Sequence, residues 1–213
     1  MPGATEVPDN FDYSLKVILV GSSRKRTRIL WGYAEDAWSD GPLTRITEGS
    51  KDKTEEFDGI NVIFHMWGLL FLPLIQCCSF YWLSSCVPST ETPERVSRAN
   101  RKYYDSVQIV FVTLDVTSLD SFQDCRQWLD EVDSYAPRSA VRVGLGLFTE
   151  ETDRRAVTKE VAQEFFSIYN IPYFEASPQT GEGVRDAFVD AARIWIGKKL
   201  GVNNNEKSAC FIQ

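Results

Sequence analysis

Few side chains in this 213-residue sequence have the types and spacing that metal or nucleophilic chemistry needs. The single histidine, His65, excludes a metal site built from several histidines. The odd number of cysteines and the absence of zinc-finger spacing favour a reducing, cytosolic setting, as does an amino-terminal segment that is acidic and polar. The five cysteines are Cys77, Cys78, Cys86, Cys125 and Cys210.

The last four residues, Cys210-Phe211-Ile212-Gln213, predict a covalent modification. A cysteine followed by two residues of apolar type and a final glutamine fits the C-a-a-X prenylation signal, and the glutamine favours a farnesyl group on Cys210. The alternative is an unmodified tail. N-myristoylation is excluded because Met1 is followed by proline. Since one prenyl chain anchors a protein weakly and reversibly, a second membrane signal would strengthen the attachment.

Composition limits the remaining classes of partner. Acidic residues outnumber basic ones by 30 to 23, and the formal charge is -7. Nucleic-acid-binding proteins usually show the opposite balance, so no nucleic acid is expected as a partner. The hydrophobic fraction of 43% supplies enough apolar surface for the core of one α/β domain.

The elements that must position functional residues alternate along the chain. Short apolar runs predict strands over residues 15–20, 60–67, 107–114, 140–147 and 171–176. Helical spacing of apolar residues predicts helices over 29–36, 121–136, 158–169 and 183–200, the third of them capped by Thr158. Residues 37–56 are polar and carry no predicted element. This alternation is typical of a parallel sheet covered on both faces, with ligands at the carboxyl ends of its strands.

A stretch without Asp, Glu, Lys or Arg runs from Ile60 to Thr90. Its most apolar part, residues 69–83, approaches the roughly 20 residues of a membrane span, although Pro73 and Gln76 interrupt it. Three interpretations follow, in order of preference. The segment 68–88 is an insertion that packs on the domain or on a bilayer surface, a translated non-coding sequence, or a transmembrane helix.

Four motifs resemble those of Rab-like small GTPases of the Ras superfamily. They are Tyr103-Tyr104, LDVTSLDSF at 114–122, WLDEV at 128–132 and IPYFEASPQTGEGV at 171–184. The resemblance covers about residues 13–200. It implies a P-loop-type, mostly parallel sheet of six strands with five helices, bound GTP or GDP with Mg²⁺, and effector or regulator proteins as partners. The chain then divides into a leader (1–12), the GTPase-like domain (13–200, with the apolar insertion 68–88 in the second switch region) and a prenylation tail (201–213).

The family's phosphate-binding loop, G-x-x-x-x-G-K-[ST], is only partly present. Gly21 matches the first glycine, and a one-residue deletion aligns Arg26 and Thr27 with the lysine and the hydroxyl that bind phosphate and Mg²⁺. This register also aligns residues 33–36, YAED, with the family's F-A-E-D. The interior glycines are absent, and arginine is a poor substitute for lysine in a fixed phosphate pocket. A basic surface loop is the alternative interpretation.

The catalytic motif of the family, D-T-A-G-Q-E, is divided by the apolar segment. Trp67 fits the tryptophan that precedes it, but Gly68 stands in place of the aspartate. Counting back from Tyr103 places Pro93 at the water-orienting glutamine, and proline has no side-chain amide. The resemblance therefore assigns no catalytic residue in this chain.

The base-reading motif, N-K-x-D, is replaced by residues 147–150, LFTE. Of these, Glu150 has a carboxylate that could accept hydrogen bonds from guanine, whereas Leu147 and Phe148 have no polar side-chain atoms. The family's S-A-K becomes Ser177-Pro178-Gln179, which removes a backbone N–H at its middle position.

Together the resemblance and the missing motif residues predict a membrane-attached, Rab-like small GTPase homologue in vesicle traffic or membrane signalling. Its place would be the cytoplasmic face of a membrane, and its GTP binding and hydrolysis would be impaired. The alternatives are a nucleotide-free scaffold and an active GTPase completed by a partner. Residual nucleotide contacts would involve Gly21, Arg26, Thr27 (the Mg²⁺ ligand), Glu150 and Ser177.

Overall fold

The computed structural model describes residues 11–21, 26–38, 50–68 and 103–201, apart from the side chains of Arg26 and Thr27. These ranges contain six strands: β1 (Tyr13–Gly21), β2 (Ser50–Phe57), β3 (Ile60–Gly68), β4 (Ile109–Asp115), β5 (Val141–Leu147) and β6 (Tyr173–Ala176). They also contain four α-helices: α1 (Arg26–Glu35), α2 (Leu119–Tyr135), α3 (Lys159–Ile168) and α4 (Val184–Lys199). A 3-10 turn lies at Thr152–Arg154.

The six strands form one sheet in the order β2-β3-β1-β4-β5-β6. β2 runs antiparallel to β3, and every other neighbouring pair is parallel. Val17 of the central strand β1 pairs with Met66 of β3 on one side and with Ile109 of β4 on the other. The predicted α/β class and its mostly parallel, six-stranded sheet are therefore confirmed. Of the five helices that the resemblance implies, four lie in the described ranges.

Helices cover both faces of the sheet. Tyr33 of α1 and Phe188 of α4 have ring centroids 4.5 Å apart, so these two helices share a face. Phe122 of α2 and Phe165 of α3 contact each other at 5.2 Å. Helix α1 connects β1 to strands on one side of it in the sheet, whereas α2 and α3 connect strands on the other side. Since these connections are right-handed, α2 and α3 lie on the face opposite α1. The central strands are buried on both sides for this reason, and their apolar runs are continuous.

Strand β2 was not predicted, and helix α1 begins earlier than predicted. Residues 37–56 were predicted to carry no element, yet Ser50–Phe57 forms the edge strand β2. Its residues alternate between exposed and half-buried, so it lacks the apolar run that predicts a strand. The Lys51 ammonium lies 4.0 Å from the Trp31 ring centroid, a contact that only the folded chain creates. Helix α1 begins at Arg26, three residues before the predicted start.

The helix ends follow ordinary capping rules. The Thr158 hydroxyl accepts a hydrogen bond from the backbone N–H of Val161 at 3.4 Å, which confirms the predicted cap of α3. The Ser118 hydroxyl accepts one from the Ser121 N–H at 3.3 Å, and α2 therefore begins two residues before the predicted 121.

Several predictions concern residues outside the described ranges. The leader up to residue 10, the insertion after Gly68, Pro93 and the tail with Cys210 are among them. The first part of the charge-free stretch, Ile60–Gly68, is strand β3. In the part of the chain that the structure describes, no helix combines the length and the apolar character needed to cross a bilayer.

Candidate functional site

The carboxyl ends of the parallel strands meet at one edge of the sheet, where ligands bind in folds of this class. Three loops at this edge are described in full: residues 116–118 after β4, 148–151 after β5 and 177–183 after β6. Glu150 and Ser177 follow neighbouring strands, so the fold brings their loops together. Gly21 ends β1, which β4 separates from β5.

Gly21 stands where β1 approaches β4 too closely for a side chain. Its φ is +134°, and a Cβ atom there would lie 2.2 Å from the backbone oxygen of Thr113. The Thr113 hydroxyl donates a hydrogen bond to the Val20 carbonyl at 2.9 Å, which holds the two strands together. Helix α1 begins at Arg26, so Arg26 and Thr27 occupy its first two positions. A phosphate contact by these two residues remains a prediction.

The loop after β4 is held by its own side chains. One carboxylate oxygen of Asp115 accepts hydrogen bonds from the Thr117 N–H at 2.9 Å and from the Thr117 hydroxyl at 2.6 Å. The Asp115 N–H donates to the Ser121 hydroxyl at 2.9 Å, and the Ser118 N–H donates to the Asp115 carbonyl at 3.0 Å. The matching residues of the LDVTSLDSF motif thus shape the turn into α2, which is a structural role.

The loop after β5 turns apolar side chains inward at the base-reading positions. Leu147 is fully buried, and Phe148 is 5% exposed with a φ of +70°. A positive φ is unusual for a bulky residue, and the hydrogen bond from the Glu151 N–H to the Phe148 carbonyl at 3.1 Å supports the turn. Because both side chains belong to the core, neither position offers a polar group to a base.

Glu150 carries a buried polar atom without a hydrogen-bond partner in the loop after β5. Its Oε2 is buried and has no hydrogen-bond partner among the described residues. A buried acceptor without a donor costs roughly 1–3 kcal/mol, more when it is charged, so such an atom in a native fold calls for an explanation. A ligand that presents N–H groups would satisfy it, and guanine has two such groups on one side.

Ser177 organises the loop after β6 from within. The residue is 1% exposed, and its hydroxyl accepts hydrogen bonds from the N–H groups of Gln179 at 3.2 Å and Thr180 at 3.0 Å. Its own N–H donates to the Glu182 carbonyl at 2.9 Å. The hydroxyl is therefore occupied by backbone N–H groups of its own loop, and Ser177 fixes the shape of that loop.

Trp38 packs on this loop, a contact that the sequence analysis missed. A Cβ atom added at Gly181 would lie 2.3 Å from Trp38 Cε2, and one added at Gly32 would lie 2.5 Å from Trp38 Cε3. The indole therefore fits between α1 and the β6–α4 loop, against two residues without side chains. The signal in the sequence is weak, since nothing relates residue 38 to a glycine 143 positions later.

An ion pair fixes the segment after the β5 loop to strand β6. Arg155 Nη1 lies 3.2 Å from Glu175 Oε2, and Nη2 of the same guanidinium bonds Oε1. The Tyr173 hydroxyl donates to Glu175 Oε1 at 3.0 Å. Hydrogen bonding to Glu175 raises the pKa of Arg155, and burial raises the pKa of Tyr173. Both groups keep their protons at neutral pH.

A guanine nucleotide with Mg²⁺, which the resemblance implies, fits the described residues only in part. Glu150 offers an unsatisfied acceptor for a base, whereas Leu147 and Phe148 offer no polar contact. No group of three or more His, Cys, Asp or Glu side chains suited to a metal ion occurs within residues 11–21, 26–38, 50–68 and 103–201. Thr27 as a Mg²⁺ ligand therefore remains a prediction from the sequence.

Comparison with known proteins agrees with this architecture. A sequence model described as the Ras family matches residues 88–196, just over half of the chain. The GTP-binding protein ypt1 of Schizosaccharomyces pombe is 28% identical over 204 residues, which cover 93% of this chain and 90% of that protein. The Ras-related protein RABD2b of Arabidopsis thaliana is 28% identical over 180 residues, covering 84% and 79%. The chain accordingly belongs to the Ras family and is a Rab-like small GTPase within it.

Proposed function

We propose that this chain is a membrane-attached Rab-like protein of vesicle traffic or membrane signalling whose binding and hydrolysis of GTP are impaired. The observation that carries the proposal is the burial of Leu147 and Phe148 at the positions where the family reads the base. The family's polar contacts are replaced there by core packing. A site that lacks such partners discriminates poorly between bases and binds them weakly.

Glu150 is the residue through which any remaining base recognition would act. Its buried Oε2 lacks a donor among the described residues, and a base with adjacent N–H groups supplies two. A single carboxylate without its neighbours cannot fix the plane of the base. We therefore expect weak guanine binding at most, with Arg26 and Thr27 as the contacts on the phosphate side.

Impaired hydrolysis rests on Pro93, which stands at the water-orienting position of the family's motif. Without a side-chain amide there, an attacking water has nothing to align it with the terminal phosphate. A partner protein that supplies the missing group would give an active GTPase instead. A protein that holds no nucleotide at all would act as a binding scaffold, and the buried apolar side chains at 147 and 148 favour this second candidate.

The nucleotide proposal is tested on the purified full-length chain. Mass analysis of the extracted small molecules should find GDP well below one equivalent. A ligand at 100 times its Kd stabilises by about 2.7 kcal/mol and moves the unfolding midpoint by several degrees. Because we expect weak binding, a thermal-unfolding scan with GTP and Mg²⁺ should show a shift well below that. The variant Glu150→Gln should abolish any residual shift. A full equivalent of bound GDP would contradict the proposal.

Attachment to the membrane is proposed through a farnesyl group on Cys210. The support is the C-a-a-X pattern of the last four residues in a Rab-like chain. Expressed in a eukaryotic cell, the wild-type chain should partition into the membrane fraction, and Cys210→Ser should move it to the soluble fraction. Intact mass measurement reports the lipid directly. An unmodified Cys210 in membrane-bound protein would refute this anchor.

The apolar insertion, residues 68–88, is proposed as a second contact with the domain or the bilayer. Deleting residues 69–88 should weaken membrane binding while Cys210 keeps its lipid. Unchanged membrane binding after the deletion would refute the insertion as a membrane contact. Sequencing the transcript across the codons for residues 65–92 separates this proposal from a translated non-coding sequence.

A further inference from the structure

Exposed apolar side chains gather at the sheet edge opposite the candidate site. Phe11, before the start of β1, is 43% exposed, and Leu200, directly after α4, is 62% exposed. Tyr13, two residues after Phe11, and Trp195 in the last turns of α4 meet edge to face with ring centroids 6.2 Å apart. The Lys199 ammonium lies 5.1 Å from each of these two rings. We call these five residues the α4-end surface.

The fold explains why the α4-end surface forms. Helix α4 leaves β6 at the carboxyl edge and crosses the sheet to end at Lys199, beside the start of β1 at the amino edge. Phe11 is held there because the flanking Asp12 exchanges two hydrogen bonds with Asn61 of β3. The Asp12 N–H donates to the Asn61 carbonyl at 2.8 Å, and the Asp12 carboxylate accepts from the Asn61 N–H at 2.8 Å.

We propose that the α4-end surface docks on a phospholipid bilayer. Its composition is that of a membrane interface, where Trp and Tyr rings lie at headgroup level and Lys stems follow the apolar phase while their ammonium groups reach phosphate. Lys198 and Lys199 lie in the last turn of α4, and Asp12 precedes the first residue of β1, so charges of both signs occur at this end of the sheet and the net local charge is small. Apolar contact therefore dominates, and binding to the bilayer should depend only weakly on salt.

The position of Cys210, the proposed lipid anchor, favours the bilayer over a protein partner. In this step the inference rests on the proposed membrane attachment. Cys210 is nine residues beyond Gly201, so the intervening chain spans about 30 Å at most. A lipid on Cys210 would hold the end of α4 within that distance of the membrane. Docking through the α4-end surface would leave the loops with Glu150 and Ser177 at the edge that faces away from the bilayer.

The test holds the full-length chain on vesicles without relying on prenylation. A histidine tag added after Gln213 binds a nickel-chelating lipid in phosphatidylcholine vesicles, half of whose phosphatidylcholine is brominated and quenches nearby tryptophan. Both proteins carry Trp82→Phe, which removes the tryptophan of the apolar insertion. We expect clear quenching in this background, and adding Trp195→Phe should lose most of it. No difference between these two proteins would overturn the proposal, because Trp195 would not approach the bilayer.

A matched pair of double variants tests the apolar contact itself. Phe11→Ser with Leu200→Ser should lower the vesicle partition coefficient about tenfold, as expected for two exposed apolar side chains that leave a bilayer. The control is Leu119→Ser with Val161→Ser, which alters side chains that are 57% and 47% exposed at the helix ends near the opposite edge. If both pairs lower the vesicle partition coefficient equally, docking through the α4-end surface is refuted.

Untagged protein, in which Cys210-Phe211-Ile212-Gln213 remains the last four residues, separates the two proposals. When lipidated protein from eukaryotic cells is tested by vesicle flotation, Cys210→Ser reports the anchor and the Phe11/Leu200 pair reports the surface. A missing lipid on Cys210 with intact quenching of Trp195 would refute the anchor and keep the surface. If the lipidated protein binds vesicles equally well with and without the Phe11→Ser/Leu200→Ser pair, the lipid anchor is supported and docking through the α4-end surface is refuted.

Discussion

Replacing Gly181 by alanine probes the packing of Trp38 on the loop after β6. Gly181 has a φ of +80°, and an alanine held in that left-handed conformation costs about 1–2 kcal/mol. The new Cβ atom would also lie 2.3 Å from Trp38 Cε2 and 2.5 Å from Nε1, so the indole must move. Overpacking of this kind costs a further 1–3 kcal/mol or so, and the expected total is about 3 kcal/mol.

Gly59 supplies the matched control for the backbone part of this cost. Its φ is +73°, and a Cβ atom there would meet no described atom within 4 Å. Gly59→Ala should therefore lower the free energy of unfolding by only about 1 kcal/mol. In a Trp38→Ala background, Gly181→Ala should fall to the same value, because the ring that the methyl group displaces is gone.

Urea unfolding followed by far-ultraviolet circular dichroism gives the free energy of unfolding of the wild type, of Gly181→Ala, Trp38→Ala and their double variant, and of Gly59→Ala. The comparison requires that the denaturant slope stays constant among them. The coupling between residues 38 and 181 in the double-mutant cycle should be about 2 kcal/mol. If Gly181→Ala costs no more than Gly59→Ala, Trp38 does not pack on the loop. The reasoning would also fail if the cost stayed the same after Trp38 was removed.

Substitutions at Arg155, Glu175 and Ser177 test the support of the site, and one at Glu131 tests a buried carboxyl group of α2. Arg155→Met should lower the unfolding free energy by about 2 kcal/mol in urea, because it leaves Glu175 half-buried without its cation, and adding Glu175→Gln should restore part of the loss. Ser177→Ala should cost about 1–2 kcal/mol in the same assay, since two loop N–H groups lose their acceptor; no change would mean that the loop keeps its shape without the hydroxyl. Burial raises the pKa of Glu131, against the opposing hydrogen bond from Tyr104, so the carboxyl group favours folding below its ordinary pKa of 4.5 and loses this contribution as the pH rises through the raised value. Glu131→Gln should therefore be more stable than the wild type at pH 7, with an advantage that shrinks toward pH 4, and a variant less stable at pH 7 would contradict this sign.

Apolar periodicity was enough to predict most of the fold. The apolar run of β4 extends over Ile109–Val112, and that of β5 is interrupted only by Arg142, because helices cover both faces of these strands. The apolar stripe of α4 has the 3.6-residue period that a helix on a sheet requires, and its bounds differ from the prediction by one residue at each end. In such cases the pattern in the sequence and the force that stabilises the element have the same origin, which is burial.

The loops of the candidate site were harder to interpret from the sequence. Leu147 and Phe148 departed visibly from the family's motif, but the sequence did not show that both side chains join the core. Nor did it show that Oε2 of Glu150 is buried without a donor among the described residues. Burial of a loop atom depends on which other loops pack around it, and those loops come from distant parts of the chain.

The sequence by itself determined the α/β class, the likeness to Rab-like GTPases, and the chemistry that is missing at positions 147 and 148. Only the tertiary structure decided that Ser50–Phe57 is a strand, because the polar β2 acquires its order from pairing with β3 and from the contact of Lys51 with Trp31. It also decided that Trp38 fits against Gly181. Local patterns encode burial along one element, whereas contacts between distant residues exist only after the chain has closed its loops.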